Sequence, residues 1–292
     1  MLRRLILLTS VLAFAGGAFA QTPPGSPDWR EPFPPHRMIG NIYYVGSRGL
    51  ASYLIATPAG HILINSNLTT SVPLIRESIE KLGFRFNDVK ILLISHAHFD
   101  HDAGSAEIKI LTGAKYMAMD GDVGVVESGG QSDFQYGRDA TLRYPATKVD
   151  RILHDGDEVK LGDTTLTAHK TAGHTRGCTT WSLKITEAGK TYDVVIVGSP
   201  NVNPGYKLVN NSRYPEIAED YERGFQVLKS LPCDVFLGAH GSYYGMESKY
   251  AKLSAGGINP YVDPEGYKNY VTEREQAFLS ELQKEKAAAK KR

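Results

Sequence analysis

The stretch Ile94–Gly104, "ISHAHFDHDAG", places three histidines and two aspartates within seven residues, directly behind the largely apolar run "VKILLIS" (Val89–Ser95). A run of that kind reads as a strand buried on both faces of a sheet. In layered α/β folds the carboxyl ends of such strands are where ligands bind. His96 and His98 are two residues apart, so an extended turn can point both imidazoles the same way. Asp100 and His101 follow at once. Leaving so many polar side chains at a buried strand end without partners is costly. Zinc accepts histidine nitrogen and aspartate oxygen in tetrahedral or slightly expanded sites. The stretch is therefore read as a metal-binding loop.

Outward from this loop the pattern alternates. Upstream, "NIYYVG", "ASYLIATPAG" and "HILINS" are short β-branched and aromatic runs separated by glycine and proline turns, and read as strands. "SVPLIRESIEKLGF" carries Val72, Ile75, Ile79 and Leu82 at helical spacing, with Ser71 as expected N-cap and Gly83 as stop. Downstream, "AEIKILTGAKYMAM" reads as helix then strand. Glu127–Tyr144 is a long glycine-containing loop without periodicity, of the kind that is often functional. "DRILHDGDEVKLGDTTLTAHKTAGH" reads as three short strands, and "CTTWSLKI" and "TYDVVIVG" as two more. "PEIAEDYERGFQVLKSL" is an amphipathic helix, "CDVFLGAHG" a strand ending in histidine, and "VTEREQAFLSELQKEKAAAKKR" a C-terminal helix. Two β-rich stretches, each followed by helices, suggest an α/β sandwich of two sheets with helices outside.

The first residues differ in kind. "MLRR", the apolar "LILLTSVLAFAGG" and "AFA" form the three regions of a secretory signal peptide over residues 1–20, with cleavage expected after Ala20. The apolar part is short for a bilayer span. A periplasmic protein without a membrane anchor after cleavage is expected. Residues 21–38 are rich in proline, glycine and serine and read as an extended N-terminal arm, with the folded domain over 39–292. A chain of 292 residues fits one large domain, and a formal net charge of +1 offers no electrostatic footprint for nucleic acid. Two cysteines, Cys178 and Cys233, are too few for a disulfide scaffold or a cysteine-rich zinc site, so histidine and aspartate must carry any metal. Whether the two cysteines pair is open at this stage.

Of nine histidines, His36, His61, His154 and His169 are read as structural, because a lone histidine is usually a surface or core residue with its hydrogen bonds met. His174 in "AGHTRG" and His240 in "GAHGS" stand at strand ends beside glycine, which lets backbone and ligand approach closely. They complete the ligand set begun by the cluster.

H-x-H-x-D-H, then a distant G-H-T, then a histidine behind a C-terminal apolar strand resembles the metallo-β-lactamase superfamily, from about Ile39 to the C-terminal helix. The resemblance implies a four-layer αβ/βα sandwich, two mixed β-sheets with helices outside, and metals in a groove at one edge of the sheets. Glyoxalase II enzymes, lactonases and tRNA-processing nucleases of that superfamily carry a bridging aspartate at the end of the strand that reads "VVIVGS" here. This chain has Gly198 and Ser199 there, and so resembles subclass B3 of the true metallo-β-lactamases. "NPGYKL" and "YPEIAEDYERGFQVLKSLPCDVFLGAH" are similar to that subclass as well.

By position, the resemblance implies two zinc ions per chain. His96, His98 and His174 would hold the first, and Asp100, His101 and His240 the second. A hydroxide between them would hydrolyse the amide bond of penicillins, cephalosporins and carbapenems, conferring resistance, with Asp100 also orienting the water. Ser199 would bind the substrate carboxylate. Asn201 stands where a second serine is often found, and Tyr206 would sit at the rim near the substrate carbonyl. On the long loop, Phe134, Gln135 and Tyr136 either contact substrate or pack the loop. Trp29 and Phe33 of the arm are candidates to fold over the groove. Asn65 replaces a common aspartate, and Tyr267 lies where the usual disulfide partner of Cys233 would be expected. A monomer acting on a small-molecule β-lactam is expected. Two other readings compete. A thioester or lactone hydrolase of the superfamily is opposed by Ser199, and a non-catalytic metal-binding module by the intact six-ligand set.

Overall fold

Alternation along the strands builds the layers. In Tyr53–Thr57 (β3), Gly60–Ile64 (β4) and Val89–Leu93 (β5) nearly every side chain is buried. Tyr53, Ile55, Ile62, Ile64, Ile91 and Leu93 enter one apolar core, while Leu54, Leu63 and Leu92 enter another. Successive side chains of a strand point to opposite faces, so a run buried throughout is a strand covered on both sides. The computed structural model describes residues 25–291. The expected signal peptide and the first residues of the expected arm lie outside them.

The first sheet has the order β1-β2-β3-β4-β5-β6-β7, adding His36–Ile39 (β1), Ile42–Tyr44 (β2), Lys115–Met119 (β6) and Arg151–Leu153 (β7). β1 to β4 run antiparallel and β4 to β7 parallel. Parallel neighbours need a crossover, usually helical. Val72–Lys81 (α1) provides it between β4 and β5, and Ser105–Thr112 (α3) between β5 and β6. Their residues Val72, Ile75, Ile79 and Ile108 join Leu54, Leu63 and Leu92 in the outer core.

The second sheet has the order β12-β11-β10-β9-β8, from Glu158–Leu161 (β8), Thr164–Lys170 (β9), Thr179–Glu187 (β10), Lys190–Val197 (β11) and Val235–Gly238 (β12). β11 and β12 are parallel and the other pairs antiparallel. Ile217–Ser230 (α5) and Pro264–Ala289 (α7) cover it, joined by Phe278 against Tyr221 and Phe225 at ring separations of 5.1 and 5.7 Å. The shorter helices are Phe99–Asp102 (α2), Val123–Glu127 (α4) and Met246–Leu253 (α6). Two mixed sheets face each other across the larger core, with helices outside: the αβ/βα sandwich expected from the sequence.

Local details depart from the sequence reading. β1 begins at His36, and His36 and Arg37 pair with Tyr44 and Tyr43, so the end of the expected arm is already sheet. Ser71 caps nothing; its backbone is helical and it closes a short 3-10 turn. β7 pairs with β6 in the first sheet, whereas β8 and β9 belong to the second. α7 begins at Pro264 rather than Val271, because the Asp263 carboxylate accepts the Gly266 N–H at 2.9 Å and proline fits a first turn. α6 was not anticipated. Gly83 does end α1, at φ +86°.

At one edge the sheets are stitched together. The Thr179 N–H donates to the Ser95 carbonyl at 2.7 Å and the Ala51 N–H to the Ala239 carbonyl at 3.0 Å. The buried Trp181 indole donates to the Ile94 carbonyl at 3.2 Å. β5, β9, β11 and β12 all end at this edge, just before His96, His174, Ser199 and His240 respectively.

Candidate metal centre

The loop after β5 is shaped by neighbouring backbone. Asn65 follows β4 with φ +66°, its Oδ1 accepting the Ser95 N–H at 2.8 Å and its Nδ2 donating to the Ala51 carbonyl at 3.3 Å. A neutral side chain thus serves the turn, through hydrogen bonds alone. The N–H groups of Ser66 and Asn67 both donate to the His101 carbonyl, at 3.0 and 3.3 Å. Buried Asp122 ties this loop to the His174 loop. It accepts the Ala97 N–H at 2.9 Å, the Thr175 hydroxyl at 2.8 Å and the Gly177 N–H at 2.8 Å. Burial pushes the Asp122 carboxyl pKa up, against those three donors.

The fold brings all six expected ligands together. One ligand atom from each of His96, His98 and His174 lies within 4.8 Å of the others, and His96 is equally close to Asp100 and His101. His101 Nε2 stands 3.1 Å from His240 Nε2. Asp100 Oδ2 is 3.3 Å from the former and 3.5 Å from the latter. Ligand atoms bound tetrahedrally to one zinc stand about 3.3 Å apart, so this second trio has the spacing of a shared ion. Buried His96 Nε2 has no hydrogen-bond partner among the described residues. Buried polar groups are nearly always paired, so this orphan fits a metal. His174 uses Nδ1 on the Asn201 carbonyl at 2.8 Å, which leaves Nε2 for a metal.

Electrostatics agree with that reading. Burial lowers the pKa of His174 to about 3 and of His240 to about 4, and neighbouring histidines press the same way, so both imidazoles are neutral near neutral pH, the form a metal takes. His96 is lowered too, first by burial and then by His101 and His174. Burial opposes the charge of Asp100, yet His101, His240 and His98 hold its pKa below the ordinary carboxylate range. His98 moves the other way. Burial lowers its pKa, but buried Asp133, with Oδ2 at 3.7 Å from His98 Nε2, outweighs it and raises it overall. The other Asp133 oxygen accepts the N–H groups of Gln135 and Tyr136, at 2.8 and 2.5 Å.

A cavity of about 430 Å³ opens above the ligands, walled by Trp29, Phe99, Tyr136 and Leu142 on one side and by Asn201, Ser242 and Tyr243 on the other. Ser199 Oγ lies 3.1 Å from the Tyr243 hydroxyl, to which Asn201 Nδ2 donates at 2.8 Å. The Trp29 ring is 5.7 Å from that of His240, so the arm does reach the groove. Phe33 does not; it packs in the core against Tyr44 and Tyr250. Tyr136 stands edge-on to His98 at 5.2 Å. Phe134 packs against Tyr206 and Tyr214, and Gln135 Nε2 donates to the Gly205 carbonyl at 3.2 Å. Tyr206, expected at the rim, is only 5% exposed, and its hydroxyl donates to the His174 carbonyl at 2.8 Å. It therefore braces a ligand loop from behind. Its ring is held by Phe134, a tertiary contact that its place in "NPGYKL" does not reveal.

The remaining histidines lie outside the cluster. His36 bonds Pro34 and Tyr261, His169 bonds Ser182 at 2.7 Å, His61 packs on Phe84, and His154 is near Asp157. Both cysteines are free. Burial pushes the Cys178 thiol up to about 12, so it stays protonated beneath Ser199, whose N–H it accepts at 3.2 Å. Sequence reasoning missed Asp122, Asp133 and Tyr243. Asp133 lies in the long loop already marked as functional, which is the one signal that could have found it.

Residues 46–240 match the family model described as metallo-beta-lactamase superfamily. Among solved structures, the native FEZ-1 metallo-beta-lactamase of Legionella gormanii is 57% identical, with a TM-score of 0.87, covering 88% of this chain and 98% of that one. BJP-1, a subclass B3 metallo-beta-lactamase of Bradyrhizobium japonicum, is 39% identical, with a TM-score of 0.84, covering 90% and 98%. A UPF0173 metal-dependent hydrolase of Cupriavidus necator is 30% identical over 111 residues, and the match spans only 37% of that relative's length.

Proposed function

The chain belongs to the metallo-β-lactamase superfamily of hydrolases, and from that premise we propose that it is an exported dizinc β-lactamase of the B3 type, opening the lactam amide of penicillins, cephalosporins and carbapenems. The observation that carries the reading is the pair of ligand trios, one all-histidine and one with Asp100, beneath a cavity sized for a small molecule. The relatives named as metallo-beta-lactamases support the substrate class.

His96, His98 and His174 would hold one zinc, and Asp100, His101 and His240 the other; such ions polarise a carbonyl and lower the pKa of water to about 7. The chain's own residues do the rest. Asp133 orients His98, and the Asn201 carbonyl fixes the His174 tautomer. Asp100, anionic and within reach of His101 and His240, can accept a hydrogen bond that orients the attacking water. Ser199, Asn201 and Tyr243 form a cluster of neutral donors for the substrate carboxylate. Trp29, Phe99 and Tyr136 exclude water above it. No side-chain nucleophile is needed, so no acyl-enzyme should accumulate.

The test is carbapenem hydrolysis, followed by ultraviolet absorbance, before and after chelation. Turnover abolished by chelator and restored by zinc is expected. His98→Ala and Asp100→Ala should each abolish it while leaving the melting transition cooperative. Full activity in either variant, or none in the zinc-loaded wild type, overturns the reading. The periplasmic location and the monomeric state are part of the same proposal, tested by cell fractionation and by light scattering.

A further inference from the structure

Beside the metal cavity lies a second depression, of about 590 Å³, between the Asn201 loop and α7. The two share Asn201, Ser242 and Tyr243 as a common wall. On the far side, Tyr270 stacks on Tyr243 at 5.1 Å and 29°. The Arg274 guanidinium stands 5.9 Å from the Tyr270 ring. The Tyr270 hydroxyl and Arg274 Nε are both buried, and neither has a hydrogen-bond partner among the described residues. The Asn201 side chain approaches the Tyr270 hydroxyl without meeting hydrogen-bond geometry. Burial holds the Tyr270 hydroxyl pKa well above its ordinary value, so it remains a donor.

These groups ask for an acceptor. A guanidinium has donors only, and a buried phenol without a partner has its O–H to give. Leaving such groups buried and unpaired is costly. The nearby acids do not meet the need. Glu281, which faces Arg274 in an adjoining groove, is paired with Lys284 at 3.2 Å, and Glu273 is exposed on the rim. Arg274 makes no ion pair with any described residue. Neither lysine nor arginine lines the metal cavity itself, so Arg274 is the cation that a substrate extending past Tyr243 would meet.

We propose that Tyr270 and Arg274 form a second binding subsite that takes an anionic substituent, a carboxylate or sulfonate, on the leaving side of the substrate. The proposal rests on the β-lactam reading above. A ring carboxylate held at Ser199, Asn201 and Tyr243 directs the substituent on the adjacent ring carbon over Tyr243. From there α7 is the next surface. Arg274 and Tyr270 are then specificity-determining residues, outside the chemistry and selective for charge.

The experiment compares two cephalosporins that differ only in the 3-substituent, one ending in a sulfonate and one in its neutral sulfonamide. For wild type and Arg274→Gln, kcat/KM is measured on both. The sulfonate-over-sulfonamide ratio should fall about tenfold in Arg274→Gln, carried by KM and with kcat for the sulfonate within twofold. Tyr270→Phe should lower the ratio by a smaller factor. An unchanged ratio in a variant that melts like wild type overturns the subsite. If wild type hydrolyses neither compound, the function reading has failed and the subsite is judged by binding alone. Calorimetric titration with methanesulfonate, a poor zinc ligand, should then give heat with wild type and none with Arg274→Gln. Equal heats, or none with either, overturn it.

Discussion

Replacing Asp133 by Asn isolates what a carboxylate behind a ligand contributes. Asparagine keeps the shape and an oxygen for the N–H groups of Gln135 and Tyr136, and removes the charge facing His98 Nε2 at 3.7 Å. A full pair of unit charges at that distance is worth about 4.5 kcal/mol at an effective dielectric near 20. The imidazole of a metal ligand is neutral and only polarised, so a fraction of that is at stake. Partners of this kind change metal affinity by about 10- to 100-fold, or about 1.4–2.7 kcal/mol. Asp133→Asn should therefore weaken zinc binding by that factor, measured by competition with a chromophoric chelator. Activity at saturating zinc should stay within about tenfold of wild type, since no group touching substrate has changed. Zinc affinity within threefold of wild type would refute the role assigned to Asp133. A comparable loss in melting temperature of the metal-free protein would mean that the residue serves the loop and not the ligand.

Three more outcomes follow from the structure. A Cβ on Gly198 would lie 2.4 Å from the Thr179 carbonyl and 2.9 Å from Cys178 Sγ, so Gly198→Ala should cost about 2 kcal/mol or more in urea unfolding and displace Ser199. Glu285 on α7 accepts the N–H groups of Leu208 and Val209 at 2.9 Å; Glu285→Ala should remove about 1–3 kcal/mol of stability and raise KM, because the loop bearing Asn201 loses its anchor, both read from melting and steady-state kinetics. His36 is buried between Pro34 and Tyr261, and burial lowers its pKa despite the bond to the Pro34 carbonyl. As pH falls below about 6.5 the unfolded chain takes up this proton and the folded one resists, so stability present at neutral pH is lost in acid. His36→Gln should accordingly lose less stability than wild type between about pH 7.5 and pH 5 in urea titrations; equal losses would remove His36 from the acid response.

The sequence by itself determined the layers and singled out the candidate ligands. Strand β5 is apolar on both faces, which demands cover on both sides, and His96, His98, Asp100 and His101 follow it too closely to scatter. Glycine beside His174 and His240 marked two more strand ends. These signals are local: they repeat every two or four residues, or sit within one short loop. What only the tertiary structure decided is which distant group stands behind each ligand and which way each side chain faces. Asp122 joins loops separated by tens of positions, and Asp133 faces a histidine from a loop with no period to read. Tyr206 turned its hydroxyl inward to His174, while Tyr243 moved into the place beside Ser199. Tyr270 and Arg274 are brought beside Asn201 and Tyr243 only by the docking of α7 against the Asn201 loop. A side chain's partner is set by packing across the sheets, and chain spacing carries no record of it.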